Sequence, residues 1–363
     1  MILQMQPLYT SQDRESLINL INSDSWFTEH IWTQQFESSL SKFTEIENIV
    51  ATNNGTISLS LIYYVLGIGV GDEIIMPNYT MFATVSSAKM LGITPVLCDV
   101  EEETLNIDID LIPELITSKT KAIVLVNANG RYPSYPIESL IELCNNYGIF
   151  LIEDSAQSLG SYFPNGLHCG SAGVMSSFSF STPKLITTGQ GGSINSNNID
   201  LIEKVRKIKN FGRSDSGLDI HDVVGWNFKF TEFQAALGIS QLNQIDWRIK
   251  RKKEIYKLYS KNLFHLDMSL IFLIPNDTIF TVPWFIEVKT NRRDELKLFL
   301  RSKGIQTRIM YPPLNEQKAI NVSGHFPVSE NIGKTGLWLP SHVQLTDEEI
   351  NYITDNIILF FNK

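Results

Sequence analysis

NIVATNNGTISLSLIYYVLGIGVGDEIIMP, residues 48–77, carries the pattern from which the fold is read. A short β-like run from Asn48 to Asn53 meets a Gly-Thr step at Gly55 and Thr56, then an apolar stretch of helical spacing that Gly67 closes. A second run, DEIIMP at 72–77, follows at once. Strand, helix and strand in that order form the unit of a parallel sheet, because parallel neighbours need a crossover and a helix supplies it. The unit repeats: MFATVSSAKMLG (81–92), DIDLIPELIT (108–117) and PIESLIELCNNYG (136–148) read as helices, and TPVLCDV (94–100), KAIVLVN (121–127) and IFLIED (149–154) as strands. Two further β-like runs, VMSSFSFS (174–181) and GGSINS (191–196), come next. The reading is an α/β fold with a large, mostly parallel sheet of the seven-stranded type flanked by helices.

At 363 residues and 43% hydrophobic content the chain exceeds one average domain and can bury a sizeable core. A capping-box pair, Thr231 and Gln234, opens what reads as one long helix with Leu242, Ile245, Ile249 and Tyr256 at helical spacing. We read it as the bridge from a large domain with its N-terminal segment, 1–245, to a smaller α+β C-terminal domain, 246–363. The strand candidates there are VPWFIEV (282–288) and IQTRIMY (305–311), and the helices DELKLFLRSKG (294–304) and TDEEINYITDNIILFF (346–361). The basic stretch RIKRKKE at 248–254 reads as the solvated face of a helix.

A net charge of −9 argues against a nucleic-acid or anionic-membrane partner, while leaving room for a local basic pocket around a phosphorylated ligand. Cys98, Cys144 and Cys169 are odd in number and widely spaced, so neither a disulfide framework nor a metal site is implied. The opening MILQMQPLY lacks the basic start and long apolar core of a secretory signal. No apolar run approaches the ~18 residues needed to span a bilayer. The expectation is a cytoplasmic protein.

In an open parallel sheet, ligands bind beyond the carboxyl ends of the strands. Polar residues stand at those ends: Asn54-Gly55-Thr56, Asn78-Tyr79-Thr80, Asn127 and Asp154. Lys184 joins them in FSFSTPKLITTGQGGS (178–193), between a β-like run and a Thr/Gly turn. A lysine amine can hold the aldehyde of pyridoxal phosphate (PLP) as a Schiff base and later move a proton, and a carboxylate beside the pyridine nitrogen keeps the ring protonated. Gly55 and Thr56 at a helix start form a phosphate cradle, and Ser179 can add a hydroxyl. Singly, each has a plainer reading: an N-cap at Gly55-Thr56, a turn cap at Asp154, a structural serine at 179. Their convergence with Lys184 favours the cofactor site. GIGVGD at 67–72 follows a helix and precedes a strand, the reverse of a dinucleotide fingerprint.

With these residues assembled, the sequence resembles the fold-type I, PLP-dependent nucleotide-sugar aminotransferases of the DegT/DnrJ/EryC1/StrS family over nearly the whole chain. The resemblance lies in 53–85, FLIEDSAQSLGSYF, SFSFSTPKLITTGQGG, GWNFKFTEFQAALGISQL, TRIMYPPL and LWLPSHVQLTDEEI. It implies that Lys184 forms the Schiff base and moves the proton, that Asp154 pairs with the pyridinium, and that Gln157 lies by the ring hydroxyl. It further implies that Gly55, Thr56 and Ser179 hold the phosphate with Asn227 of a neighbouring subunit, hence a homodimer or higher homo-oligomer. Met81 stands where the family stacks an aromatic ring on the cofactor, and its polarizable sulfur can still pack on a π face. Asn127 replaces a His after the strand, Gln190 a Glu in the TGEGG turn, and Asn315 a His after YPPL; Asn127 and Asn315 stand where family members touch substrate.

The dehydratase branch of the family carries His at the position of Lys184, so the lysine implies transamination. HDVVGWNFKF at 221–230 resembles the perosamine-synthase branch, which makes His221, Trp226 and Lys229, with Tyr311, candidates to contact a nucleotide sugar. The implied activity is transfer of an amino group from glutamate to a nucleotide-linked 4-keto-6-deoxyhexose such as GDP-4-keto-6-deoxymannose, with pyridoxamine phosphate as the intermediate cofactor form. Amino-sugar biosynthesis for a polysaccharide or O-antigen would be the setting. The alternatives are a sugar dehydratase of the same fold and a non-catalytic, ligand-sensing relative.

Overall fold

A computed structural model describes residues 1–24, 26–215, 218–320 and 322–362. The β-α alternation folds into a seven-stranded sheet of β1 Asn48–Thr52, β2 Glu73–Pro77, β3 Thr94–Cys98, β4 Thr120–Val126, β5 Phe150–Asp154, β6 Met175–Ser179 and β7 Gly192–Ser196. The order is β1-β7-β6-β5-β4-β2-β3. Only β7 runs against its neighbours β1 and β6 in this sheet, and the β2–β3, β2–β4, β4–β5 and β5–β6 pairs are parallel. Alternate side chains point to opposite faces. Ile74 and Met76 accordingly pack with Leu59, Ile62 and Tyr63 of the helix Gly55–Val65, while Ile75 packs on the other face with Leu140 and Cys144 of the helix Ile137–Tyr147. Covering both faces is what makes the strands read as nearly continuous apolar runs.

The strand order brings the first and last parts of the sheet together. Gly192 of β7 is in register with Thr52 of β1 and with Ser179 of β6, so the Gly55 turn and the Lys184 turn become neighbours. A Cβ on Gly192 would lie 2.6 Å from Gly55 N, and only glycine allows that approach.

The structure departs from the sequence reading in three places. Residues 108–117 form a 3₁₀ turn, Ile109–Leu111, and a single α-turn, Ile112–Leu115, because Pro113 sits in the first turn and Ile116 is already extended. The long helix divides into Glu232–Leu242 and Ile245–Leu263. Its capping box stands as expected, but at the break the Gln244 amide folds back on Ser240 O (2.9 Å) and onto Asp13 Oδ1 (3.2 Å) of the helix Ser11–Ile21. The basic stretch is not all solvated: Arg248 and Lys252 are 3% and 5% exposed. Helix Ile245–Leu263 passes from the large sheet, where Ile245 packs, to the second sheet, where Ile255 and Tyr259 pack, so positions 248 and 252 share its inward face.

The second sheet is antiparallel: β8 Phe272–Leu273, β9 Ile286–Lys289, β10 Arg308–Ile309 and β11 Gly336–Leu339, in the order β10-β11-β9-β8. Helices Arg293–Ser302 and Asp347–Phe361 cover it through Leu296, Leu300, Ile350, Ile353 and Ile357.

Candidate active site

Asp154 ends β5 and is 6% exposed. Its Oδ2 accepts a 2.7 Å hydrogen bond from Thr84 Oγ1, one turn into the helix Phe82–Lys89 that Met81 caps, and its Oδ1 accepts from Ala156 N–H at 3.3 Å. Burial pushes the carboxyl above the usual carboxylate range, against the Thr84 hydrogen bond and the Lys184 cation. Lys184 ends a tight turn after β6, its N–H donating to Ser181 O at 3.0 Å. Burial lowers its amine to about 8, with the Asp154 carboxylate pulling the other way. A buried lysine near one carboxylate is thus far more often uncharged at neutral pH than an ordinary lysine.

Lys184, Ser179 and Gln157 line one cavity. The Gln157 Oε1 accepts from Asn129 N–H at 2.7 Å, which leaves the amide NH₂ as the donor end. Gly55 abuts Ser179, with a Cβ there falling 3.1 Å from Ser179 Cβ. Asn54 caps the helix Gly55–Val65 by accepting from Ile57 N–H at 2.9 Å, and the first N–H groups of that helix, at Gly55 and Thr56, have no acceptor within it. Helix start, serine hydroxyl and lysine amine therefore share one corner of the sheet.

The remaining expected residues are distributed differently. Met81 is 45% exposed, with its Sδ accepting from Ala83 N–H at 2.9 Å. Asn127 is fully buried, its Oδ1 taking hydrogen bonds from Ser155 (2.9 Å) and Ser158 (3.4 Å). Asn315 forms a two-way clamp with Asn78 at the end of β2: Asn78 Nδ2 donates to its Oδ1 at 2.8 Å, and its N–H donates to Asn78 Oδ1 at 2.9 Å. Tyr311 packs edge-on to Trp338 at 4.7 Å and beside Tyr79. Gln190 contributes its carbonyl, which accepts from Gln234 Nε2 and Thr188 Oγ1. Trp226 packs on Tyr64 at 5.0 Å, His221 Nδ1 pairs with Phe211 O at 2.8 Å, and Lys229 lies over the Phe211 ring. With the exposed Asn227 they belong to a segment outside the Lys184 cavity.

The sequence does not single out Thr84, Asn129 or Trp284, whose ring centroid lies 4.0 Å from Lys184 Nζ. Thr84 had a faint signal, a hydroxyl one turn into a helix that starts at a strand end; Trp284 had none, since VPWFIEV reads as an ordinary strand.

A sequence model of the DegT/DnrJ/EryC1/StrS aminotransferase family matches residues 8–358. The chain belongs to that family. It is similar to the GDP-perosamine synthase of Escherichia coli O157:H7, 33% identical over 362 residues and 98% of each chain, and to that of Vibrio cholerae, 32% identical over 372 residues and 100% of each. Among solved structures it is similar to the aminotransferase TlmJ from Streptoalloteichus hindustanus, with a TM-score of 0.93, 26% identity and full coverage of both chains. As a member of the DegT/DnrJ/EryC1/StrS family the protein is a PLP-dependent aminotransferase of the expected α/β fold. The donor set fits the cofactor: an amine of lowered basicity, a buried carboxylate whose remaining lone pairs can accept from a ring N–H, and a helix start with a serine suited to a phosphate.

Proposed function

We propose that the protein transfers an amino group from glutamate to a nucleotide-linked 4-keto-6-deoxyhexose, with GDP-4-keto-6-deoxymannose the first candidate. The observation that supports this most is a buried Lys184 within electrostatic reach of the buried Asp154 at the carboxyl edge of the sheet. The similarity to GDP-perosamine synthases over nearly full length supports the sugar. Bound PLP supplies an aldehyde that exchanges between amines and a ring that accepts the electron pair left when a proton is removed.

The residues divide the work. With the cofactor bound, Lys184 would yield its place to the donor amine, take the proton from the donor Cα and deliver it to the cofactor carbon that carried the aldehyde, and would reverse that transfer for the keto sugar. Asp154, held in place by Thr84, would accept from a protonated ring nitrogen and stabilise its charge. Gly55, Thr56 and Ser179 would hold the phosphate, and the Gln157 amide would be the partner of the ring hydroxyl. Met81, whose sulfur accepts from Ala83 N–H, would be the residue to pack against the ring face. Tyr311, Asn315, Asn127, His221, Trp226 and Lys229 are the candidates for the sugar nucleotide. The last of the cofactor contacts, Asn227, acts across a homodimer: it is exposed on a segment that also exposes Ile220 (63%), Val223 (43%) and Val224 (69%), an apolar surface suited to a second copy.

We read 1–245 and 246–363 as the two domains, since Ile245 packs with the large-sheet cluster and Ile255 with the second sheet. Among the described residues no helix is long and apolar enough to cross a membrane, and three free, buried cysteines suit a reducing cytoplasm.

Two measurements check this reading. Glutamate added to the PLP-loaded protein should replace the visible absorption of lysine-bound PLP with that of pyridoxamine phosphate, and the keto sugar should restore it; a spectrum indifferent to glutamate rejects the donor. Asn227→Ala should raise the Kd for PLP about 10–150-fold, the loss expected of one hydrogen bond to an anion. Unchanged PLP affinity in that variant rejects the cross-subunit contact.

A further inference from the structure

Trp284 lies two residues before β9, and its ring closes over the amine on which the proposed function rests. The centroid lies 4.0 Å from Lys184 Nζ. The indole N–H donates to Pro183 O at 2.7 Å. One side chain therefore touches both the amine and the turn that carries it. The ring is 6% exposed, stacked on Phe285 at 3.9 Å and edge-on to Trp338 at 6.0 Å.

Its backbone is fixed as firmly. Trp284 N–H donates to Asn129 O at 3.3 Å, and its carbonyl accepts from Lys252 Nζ, which also donates to Ser341 O at 2.6 Å. Asn129, at a left-handed φ of 53°, holds the next residue from both sides, accepting from Phe285 N and donating to Phe285 O. Its own N–H binds Gln157 in the wall of the Lys184 cavity. The ring is thus placed by the end of β4, the helix Ile245–Leu263 and the 341 segment together.

We propose that Trp284 is a positioning residue for the transamination, and that its π face is the seat of the Lys184 ammonium whenever that amine is not bound to the cofactor. The proposal rests on Lys184 being the amine that exchanges with substrate. In such a reaction the lysine is released, must hold a proton briefly, and must return to the same atom. A flexible side chain set loose would lose that geometry. A carboxylate partner at hydrogen-bond distance would hold the proton too firmly, whereas an aromatic face attracts the cation without accepting its proton. Asp154 from β5 is the charge that favours the cation and burial opposes it; the other titratable side chains lining the same cavity are Arg248, Lys252 and His342, and burial lowers the basicity of each. The indole adds to the favourable side and fixes where the ammonium sits.

The test uses the full-length protein freed of cofactor. Competitive labelling with acetic anhydride across a pH series, read by peptide mass spectrometry, gives the titration midpoint of Lys184. Trp284→Leu should lower that midpoint by about one pH unit, while Trp284→Phe, which keeps a π face, should stay near the parent. If the leucine variant fails to fold, Trp284→Met makes the same comparison. In turnover the leucine variant should lose about 10-fold or more in kcat with little change in KM for the keto sugar, and the phenylalanine variant should recover most of it. A folded leucine or methionine variant with the parent midpoint, or a higher one, overturns the proposal. The midpoint is measured without PLP or sugar, so a failure of the proposed function would show separately, as a parent that ignores glutamate.

Discussion

Lys184→Ala should abolish the visible absorption of lysine-bound PLP and lower transamination by roughly 10²–10⁴-fold or more, the range expected when a positioned acid-base group is lost. The fold should survive. The turn at 181–184 is closed by main-chain atoms that alanine keeps, and removing an amine whose charge is disfavoured by burial relieves a penalty in the folded state. The stability profile gives an independent check. Unfolded, the amine holds its proton up to the ordinary 10.5, and folded only to about 8, so between these values the unfolded chain binds more protons. Parent stability should therefore rise with pH across that window, and the alanine variant should lose this rise. The same lowered basicity predicts that PLP capture by the cofactor-free parent accelerates with pH up to about 8 and then levels off. Persistence of the visible band in the alanine variant would falsify the assignment.

The large sheet was legible because both of its faces are covered, which forces apolar runs at regular spacing, and because glycines close the intervening helices. What stayed hidden was held by partners distant in sequence. The helix Ile31–Thr44 has no side-chain cap of its own; Glu232 accepts from the N–H groups of His30, Trp32 and Thr33, so nothing local announces its start. β8 has only two residues, and the four residues of β11 are all buried, so neither shows alternation. Lys252 reads as one more charge in a basic run until the carbonyls of Trp284 and Ser341 are brought to it. Among the candidate site residues, Gly55, Asp154 and Ser179 stood out because each starts a helix or ends a strand, Lys184 because of its place between a β-like run and a Thr/Gly turn, and Gln157 through the family resemblance alone. Their supports did not: Thr84 and Trp284 become meaningful only when the helix after β2 and the strand β9 are packed against them. Asn315 was legible as a substrate candidate, yet in the folded chain its amide is engaged by Asn78, which ties the segment after β10 to the end of β2.

Asp154→Asn should leave PLP bound to Lys184 yet slow the glutamate half-reaction by about 10²–10³-fold, the scale of losing one preorganised electrostatic group. The substitution is nearly isosteric, and an amide oxygen can still accept from Thr84. What changes is the sign of the group facing the ring. A carboxylate accepts from a protonated ring nitrogen and stabilises its charge, whereas an amide NH₂ donates to an unprotonated nitrogen, and a neutral ring is a poor electron sink. The parent should also show an acid limb set by this group. Burial raises the Asp154 carboxyl, so activity should fall with decreasing pH above the ordinary carboxylate range, as the carboxylate is protonated. Thr84→Val removes a hydrogen bond that opposes this rise, and should move the limb to still higher pH. The three variants then separate cleanly: without Lys184 there is no lysine-bound PLP, without the Asp154 charge there is bound PLP with slow chemistry, and without Thr84 there is normal chemistry over a narrower pH range. An asparagine variant turning over at the parent rate would remove Asp154 from the reaction and leave it a buried structural carboxylate.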